Sequence, residues 1–84
     1  MKELPTRELE EIARLRTQRE LEDYVIPDEI RGNVSVTMLF EDGQRVFLLY
    51  VPGKTRLDPR IIARTTVDAM TGEATVEVLG LERI

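Results

Sequence analysis

The first part of the chain has the hydrophobic spacing of an amphipathic helix. Its apolar positions recur at multiples of three residues: Leu9, Ile12, Leu15, Leu21 and Tyr24. Good helix formers separate them, and the Ile26-Pro27 pair stops the segment because a residue before proline avoids helical geometry. We therefore predict a helix over residues 6–24. Each step of three turns the stripe backward by about 60°, so the helix either crosses the sheet obliquely or divides its apolar residues between two surfaces.

Residues 34–51 alternate as a two-stranded hairpin does. Asp42-Gly43 is a strong two-residue turn signal between two β-rich runs. With that turn, one face of the hairpin carries Val34, Val36, Met38, Phe40, Phe47, Leu49 and Val51. We predict that this set is the core face.

The opposite face of the same hairpin should meet water, yet it is apolar as well. It carries Leu39, Val46, Leu48 and Tyr50. The far face of an antiparallel sheet covered by one helix is normally polar, and a contiguous exposed apolar patch marks an interaction surface or a ligand groove. We therefore predict an interface at these four residues. The alternative is that one end of the helix, or residues 25–30, covers them within the same chain.

A second hairpin is predicted over residues 61–81, after a loop at 52–59. Thr71-Gly72 would be its tight turn, pairing Val67 with Val76 and Thr65 with Val78. In this hairpin only one face is apolar. The β-branched residues of the 59–70 segment favour a strand. The alternative is a helix that begins at Asp58-Pro59 and gives the order α-β-β-α-β.

These elements predict an α+β fold in which one N-terminal helix packs on a four-stranded antiparallel β-meander. We expect one domain over residues 1–84, because a split would leave neither half enough interior. The chain has two Phe, two Tyr and no Trp, so its core must be built from Leu, Ile and Val. A thin core in so small a domain often gains stability by association, and a homodimer is therefore expected.

The amino-acid composition limits the catalytic and metal-binding groups that the chain can offer. The chain has no Cys and no His, which removes the commonest metal ligands and the usual general base at neutral pH. We expect no catalytic residues, no metal site and no cofactor, and therefore no enzyme. The N-terminus lacks the apolar segment of a secretory signal and no run has the length of a membrane span, so we expect a cytoplasmic protein that does not associate with membranes.

The chain has a net charge of −4 but contains one local cluster of basic residues. The cluster consists of Lys54, Arg56, Arg60 and Arg64. An acidic chain argues against nucleic-acid binding, which depends on neutralising phosphates. The cluster could still bind an anion, because arginine makes bidentate contacts to such groups. The alternative is a solvated loop with no ligand.

The stretch Thr66-Val-Asp-Ala-Met-Thr-Gly-Glu-Ala-Thr-Val-Glu77 resembles the closing hairpin of PepSY-type domains. The resemblance implies a helix followed by antiparallel strands, which is also the layout of cystatin-like folds. PepSY modules are mostly extracytoplasmic and often regulate peptidases. The resemblance covers about a dozen residues and assigns no functional residue to this chain.

The sequence therefore predicts a noncatalytic protein-interaction or regulatory module. Its partner would be another protein or a second copy, bound through the outer face of the 34–51 hairpin. The alternative is an anion- or nucleic-acid-binding module that uses the basic segment 54–64.

Overall fold

The computed structural model describes residues 3–52 and 59–84, apart from the side chain at position 29. Within these ranges the chain forms helix α1 (Thr6–Leu21), a short helix α2 (Asp28–Arg31) and four strands. The strands are β1 (Ser35–Glu41), β2 (Gln44–Val51), β3 (Arg60–Asp68) and β4 (Ala74–Val78). They form one antiparallel sheet in the order β1-β2-β3-β4, with α1 packed on it. The predicted α+β fold with a four-stranded meander is confirmed, and the 59–70 segment is a strand rather than a helix.

The buried face of α1 is only partly the predicted one, since Leu9 and Ile12 lie on the core as predicted but Leu15 does not. α1 begins after Pro5, whose carbonyl accepts hydrogen bonds from the first turn, and ends at Leu21 rather than at residue 24. Its buried residues are Leu9 and Ala13, whereas Leu15 is 52% exposed. The stripe continues through Thr17, whose hydroxyl is hydrogen-bonded to that of Thr65 in β3. Leu9, Ala13 and Thr17 are spaced by four residues, which places them on one face of α1, toward the sheet.

The first hairpin has the predicted register. Met38 lies opposite Phe47, Leu39 opposite Val46 and Thr37 opposite Leu48. Gly43 at the turn has a φ of +68°, while no other described residue except two further glycines has a positive φ. A single positive φ at the second turn residue is the pattern of a type II turn rather than the mirror-image type I′ turn.

The second hairpin is displaced by two residues from the predicted register. Thr65 pairs with Val76 and Val67 with Ala74, so the chain between the strands is longer than a tight turn. Asp68 explains the longer loop, because its carboxylate accepts hydrogen bonds from the backbone N–H groups of Met70 and Thr71. A shift of two leaves Thr65 and Val67 on their predicted face, since the side-chain period of a strand is two.

The helix lies over β3 and β4 and leaves β1 and β2 largely uncovered. The core cluster joins Leu9 and Ala13 to Phe47, Val67 and Ala69. A helix with its side chains is about 10 Å wide and strands lie about 4.8 Å apart, so one helix covers about two strands. We call the sheet face toward α1 the groove face and the opposite side the outer face.

The segment between α1 and β1 crosses the end of the sheet. Val25 donates to the carbonyl of Glu82, and the N–H of Ile84 donates to the carbonyl of Asp23, so the helix exit is tied to the C-terminal residues beyond β4. The chain then passes through α2, where Ile30 is buried, and enters β1 at the other edge of the sheet. This route leaves β1 as an edge strand.

Candidate interaction surface

The four apolar residues on the outer face of the first hairpin do not form a continuous exposed patch. Leu39 is 44% exposed, Leu48 and Tyr50 are half-buried, and Val46 is completely buried. An ion pair of 3.6 Å joins Arg64 of β3 to Glu41 of β1, and Val46 lies between these two residues in the register. Of the four predicted interface residues, Val46 is therefore inaccessible to a partner, and Leu39 is the most accessible.

The groove face shows the larger departure from the sequence analysis. Val36 and Phe40, which we predicted to be core residues, are 62% and 66% exposed. They lie on β1, beyond the reach of α1, whereas Phe47 on the next strand is buried in the core. The sequence contained the signal for this, because one predicted helix cannot cover four strands.

A groove runs between α1 and the first two strands. It has a volume of about 510 Å³. Its floor is formed by Val36, Met38, Phe47 and Leu49, and its helical wall by Glu10, Ala13, Arg14, Thr17, Gln18 and Leu21. At the rim, Arg14 is paired with Glu11 at 2.5 Å, and this hydrogen bond and ion pair raise the pKa of the guanidinium. The groove therefore has an apolar floor, with a neutralised ion pair beside its helical rim.

At the turn end of the groove face, an arginine stacks on the exposed phenylalanine. The guanidinium of Arg45 lies 4.6 Å from the centre of the Phe40 ring and pairs with the carboxylate of Glu3 at 2.8 Å. Its Nε is buried and has no hydrogen-bond partner among the described residues. These contacts hold the Phe40 ring from one side and leave most of it facing solvent.

Strand β1 is exposed on both of its faces. Val36 and Phe40 are exposed on the groove face, and Leu39 on the outer face. Within the described part of the chain, the sheet pairs β1 with β2 and with no other strand. A flat apolar edge strand is a template for pairing with another chain. The accessible apolar surface of the first hairpin is therefore centred on β1.

The predicted basic cluster is not a single surface in the described residues. Lys54 and Arg56 lie outside those residues. A β-bulge between Leu49 and Tyr50 places Arg60 opposite Val51, on the groove face, whereas Arg64 lies opposite Leu48, on the outer face. Arg60 donates a hydrogen bond of 2.7 Å to the carbonyl of Gly80. The two arginines therefore face opposite sides and bind different internal partners.

No group of three or more His, Cys, Asp or Glu side chains within 3–52 and 59–84 is arranged to hold a metal ion. Over the same ranges, neither helix has the length and apolar character needed to cross a bilayer.

Three residues of the Thr66–Glu77 stretch determine the shape of the loop between β3 and β4. Asp68 accepts two backbone hydrogen bonds, which lower its pKa, and the Thr71 hydroxyl accepts one from the N–H of Glu73. Gly72 has a φ of +79°. Asp68, Thr71 and Gly72 are therefore the residues that shape this loop.

Comparison of the chain with protein-family models gives no match, and comparisons with curated proteins and with solved structures give no significant match.

Proposed function

We propose that this chain is a noncatalytic interaction module that self-associates through its first hairpin. The observation that supports the proposal is the exposure of Val36, Leu39 and Phe40 on both faces of an edge strand. Such a strand presents unpaired backbone groups together with apolar side chains, and natural proteins normally protect it with charges, proline or a covering element. Within β1 the one charged residue is Glu41, at the turn end.

The energy of this surface favours association. The exposed two thirds of Phe40 amount to about 100–160 Å² of apolar area. Val36 and Leu39 each add somewhat less, so the three side chains present about 300 Å² per copy. The two copies of a dimer together present about 600 Å², worth at most about 15 kcal/mol if fully removed from water. Association costs about 4–15 kcal/mol in lost translational and rotational freedom. We therefore expect a dimer whose population depends on protein concentration.

The test is solution mass by size-exclusion chromatography with light scattering over a hundredfold range of concentration. Phe40→Glu should shift the equilibrium to monomer, because it places a charge in the apolar contact. Leu15→Glu is the matched control, since Leu15 is also more than half exposed but lies on α1. Circular dichroism of both variants should match that of the unmodified chain.

Other substitutions separate the two faces of the hairpin. Leu48→Glu and Tyr50→Glu alter the outer face, where both residues are half-buried. If they abolish the dimer while Phe40→Glu does not, self-association uses the outer face. A chain that stays monomeric at every concentration would overturn the proposal.

A further inference from the structure

We infer that two copies join edge to edge, with β1 of one copy antiparallel to β1 of the other and with Met38 at the centre of the pairing. The two four-stranded sheets would then form one continuous sheet. The inference rests on the proposed self-association and specifies its geometry.

The backbone of β1 determines which residues can bond to a second strand. Glu41 and Gln44 flank a two-residue turn and are directly opposite each other, the position of a hydrogen-bonded pair. Inward- and outward-pointing backbone groups alternate along a strand. The N–H and C=O groups of Phe40, Met38 and Val36 therefore point away from β2, toward the open edge.

A pairing centred on Met38 uses all three of these outward-pointing residues. Met38 then lies opposite Met38 of the second copy, and Val36 lies opposite Phe40 of the second copy. Each of these pairs can exchange two hydrogen bonds, as in any antiparallel ladder. Moving the centre to Leu39 or Thr37 leaves one outward-pointing residue of each strand without such a partner.

The side chains favour the same register. On the groove face the most exposed apolar residues of the strand, Val36 and Phe40, meet each other across the interface. On the outer face Leu39 meets Thr37, and the charged Glu41 meets Ser35. Opposed apolar pairs stabilise a ladder and directly opposed like charges destabilise it, so this register avoids placing the two Glu41 side chains together.

The area available sets the strength of the contact. Stable specific complexes bury about 800 Å² per partner, whereas the three exposed apolar side chains of β1 supply about 300 Å². The strand backbone and its polar side chains add to this sum. We therefore expect an interface at the small end of the range, with a dissociation constant that is micromolar or weaker.

The pairing would also complete the groove. Val36 belongs to the groove floor, and the ring of Phe40 from the second copy would lie directly beside it. The grooves of the two copies would then merge across the shared edge into one apolar trough. Its walls would be the two α1 helices, which lie over β3 and β4 of each copy.

Cysteine cross-linking tests the register directly, because the chain contains no cysteine of its own. Directly opposite hydrogen-bonded residues have Cα atoms about 5.5 Å apart and Cβ atoms at nearly the same separation, beyond the Cβ range of about 3.5–4.5 Å that a disulfide needs. A short bifunctional thiol reagent spans this gap, so Met38→Cys should form a covalent dimer when treated with it. Val36→Cys and Phe40→Cys, each on its own, should form no covalent dimer, because each cysteine would lie about 14 Å along the strand from the same cysteine of the second copy. A mixture of these two variants should cross-link.

The mixed pair also covers the case in which Met38→Cys fails to fold, because Val36 and Phe40 are both exposed. Leu48→Cys reports a contact between outer faces. If the chain is dimeric by light scattering but only Leu48→Cys cross-links, pairing through β1 is wrong and the proposed self-association stands. If neither Met38→Cys nor the mixture cross-links in a protein that scatters as a dimer, the inference is also overturned. A strict monomer overturns both proposals.

Discussion

Thr17 and Thr65 link α1 to β3 through their hydroxyl groups, and valine substitutions at the two positions test how this link is stabilised. Thr65 is 1% exposed, while Thr17 is half-buried. Valine replaces the hydroxyl with a methyl group of similar size. Threonine and valine have similar helix propensities and both favour strands, so the hydroxyl group is the main difference between the proteins compared.

The expected magnitudes depend on which hydroxyl group loses its partner. Thr17→Val leaves the buried hydroxyl of Thr65 without its hydrogen-bond partner, and an unsatisfied buried polar group costs about 1–3 kcal/mol. Thr65→Val leaves the hydroxyl of Thr17, which can bond to water, so we expect a loss of about 1 kcal/mol or less. The double variant removes both groups and should be close to the unmodified chain. The coupling between the positions is therefore about 1–4 kcal/mol, the sum of the two single losses.

The assay is urea unfolding of the four proteins followed by circular dichroism at one protein concentration. Equal dependence of the unfolding free energy on urea across the set would show that the unfolded states are comparable. Thr17→Ser is the control, because it retains a hydroxyl at this position. Losses that simply add in the double variant would refute the reasoning, since they would mean that the two hydroxyl groups act independently.

Two further predictions concern the loops. Alanine at a positive φ costs about 1–2 kcal/mol, and at Gly72 its Cβ would also lie 3.1 Å from Ile12 Cδ1 and 3.2 Å from Leu4 Cδ1. Gly72→Ala should therefore lower the urea midpoint more than Gly43→Ala, where the φ is +68° and the space is open; equal losses would contradict this. The backbone hydrogen bonds of Met70 and Thr71 lower the pKa of Asp68 in the folded chain. The resulting stability is present above the ordinary Asp pKa of about 4 and is lost as the pH falls through the folded pKa. Asp68→Asn should therefore weaken the dependence of the urea midpoint on pH below about 4, and an unchanged dependence would argue against this role.

Local pattern was sufficient to predict α1, the four strands and the faces of the strands near their two turns. In the first hairpin, a two-residue turn at Asp42-Gly43 determines the whole register, so the pairing of Met38 with Phe47 follows from the sequence. In the second hairpin the hydrogen bonds of Asp68 lengthen the loop and move the register by two. The even shift left the core face unchanged, which is why the predicted positions of Thr65 and Val67 were still correct.

The parts that could not be predicted depend on long-range packing. The helical stripe was assigned from large apolar residues, yet Ala13 and Thr17 lie against the sheet because small side chains allow a helix to approach closely. Which strands the helix covers is decided by tertiary contacts, and that choice makes Phe40 a surface residue. The bulge beside Tyr50 is a single-residue irregularity that separates Arg60 from Arg64, and alternation alone gives no sign of it.

The position of α1 over the last two strands also has a consequence for how the protein is made. A chain leaves the ribosome from its N-terminus, and domains generally fold as units during synthesis. Leu9 and Ala13 are synthesised first, and their partners Val67 and Ala69 follow only after both strands of the first hairpin. Until then the nascent helix and the first hairpin have no β3 or β4 to pack against. Premature pairing between β1 strands of neighbouring nascent chains would compete with folding during that interval.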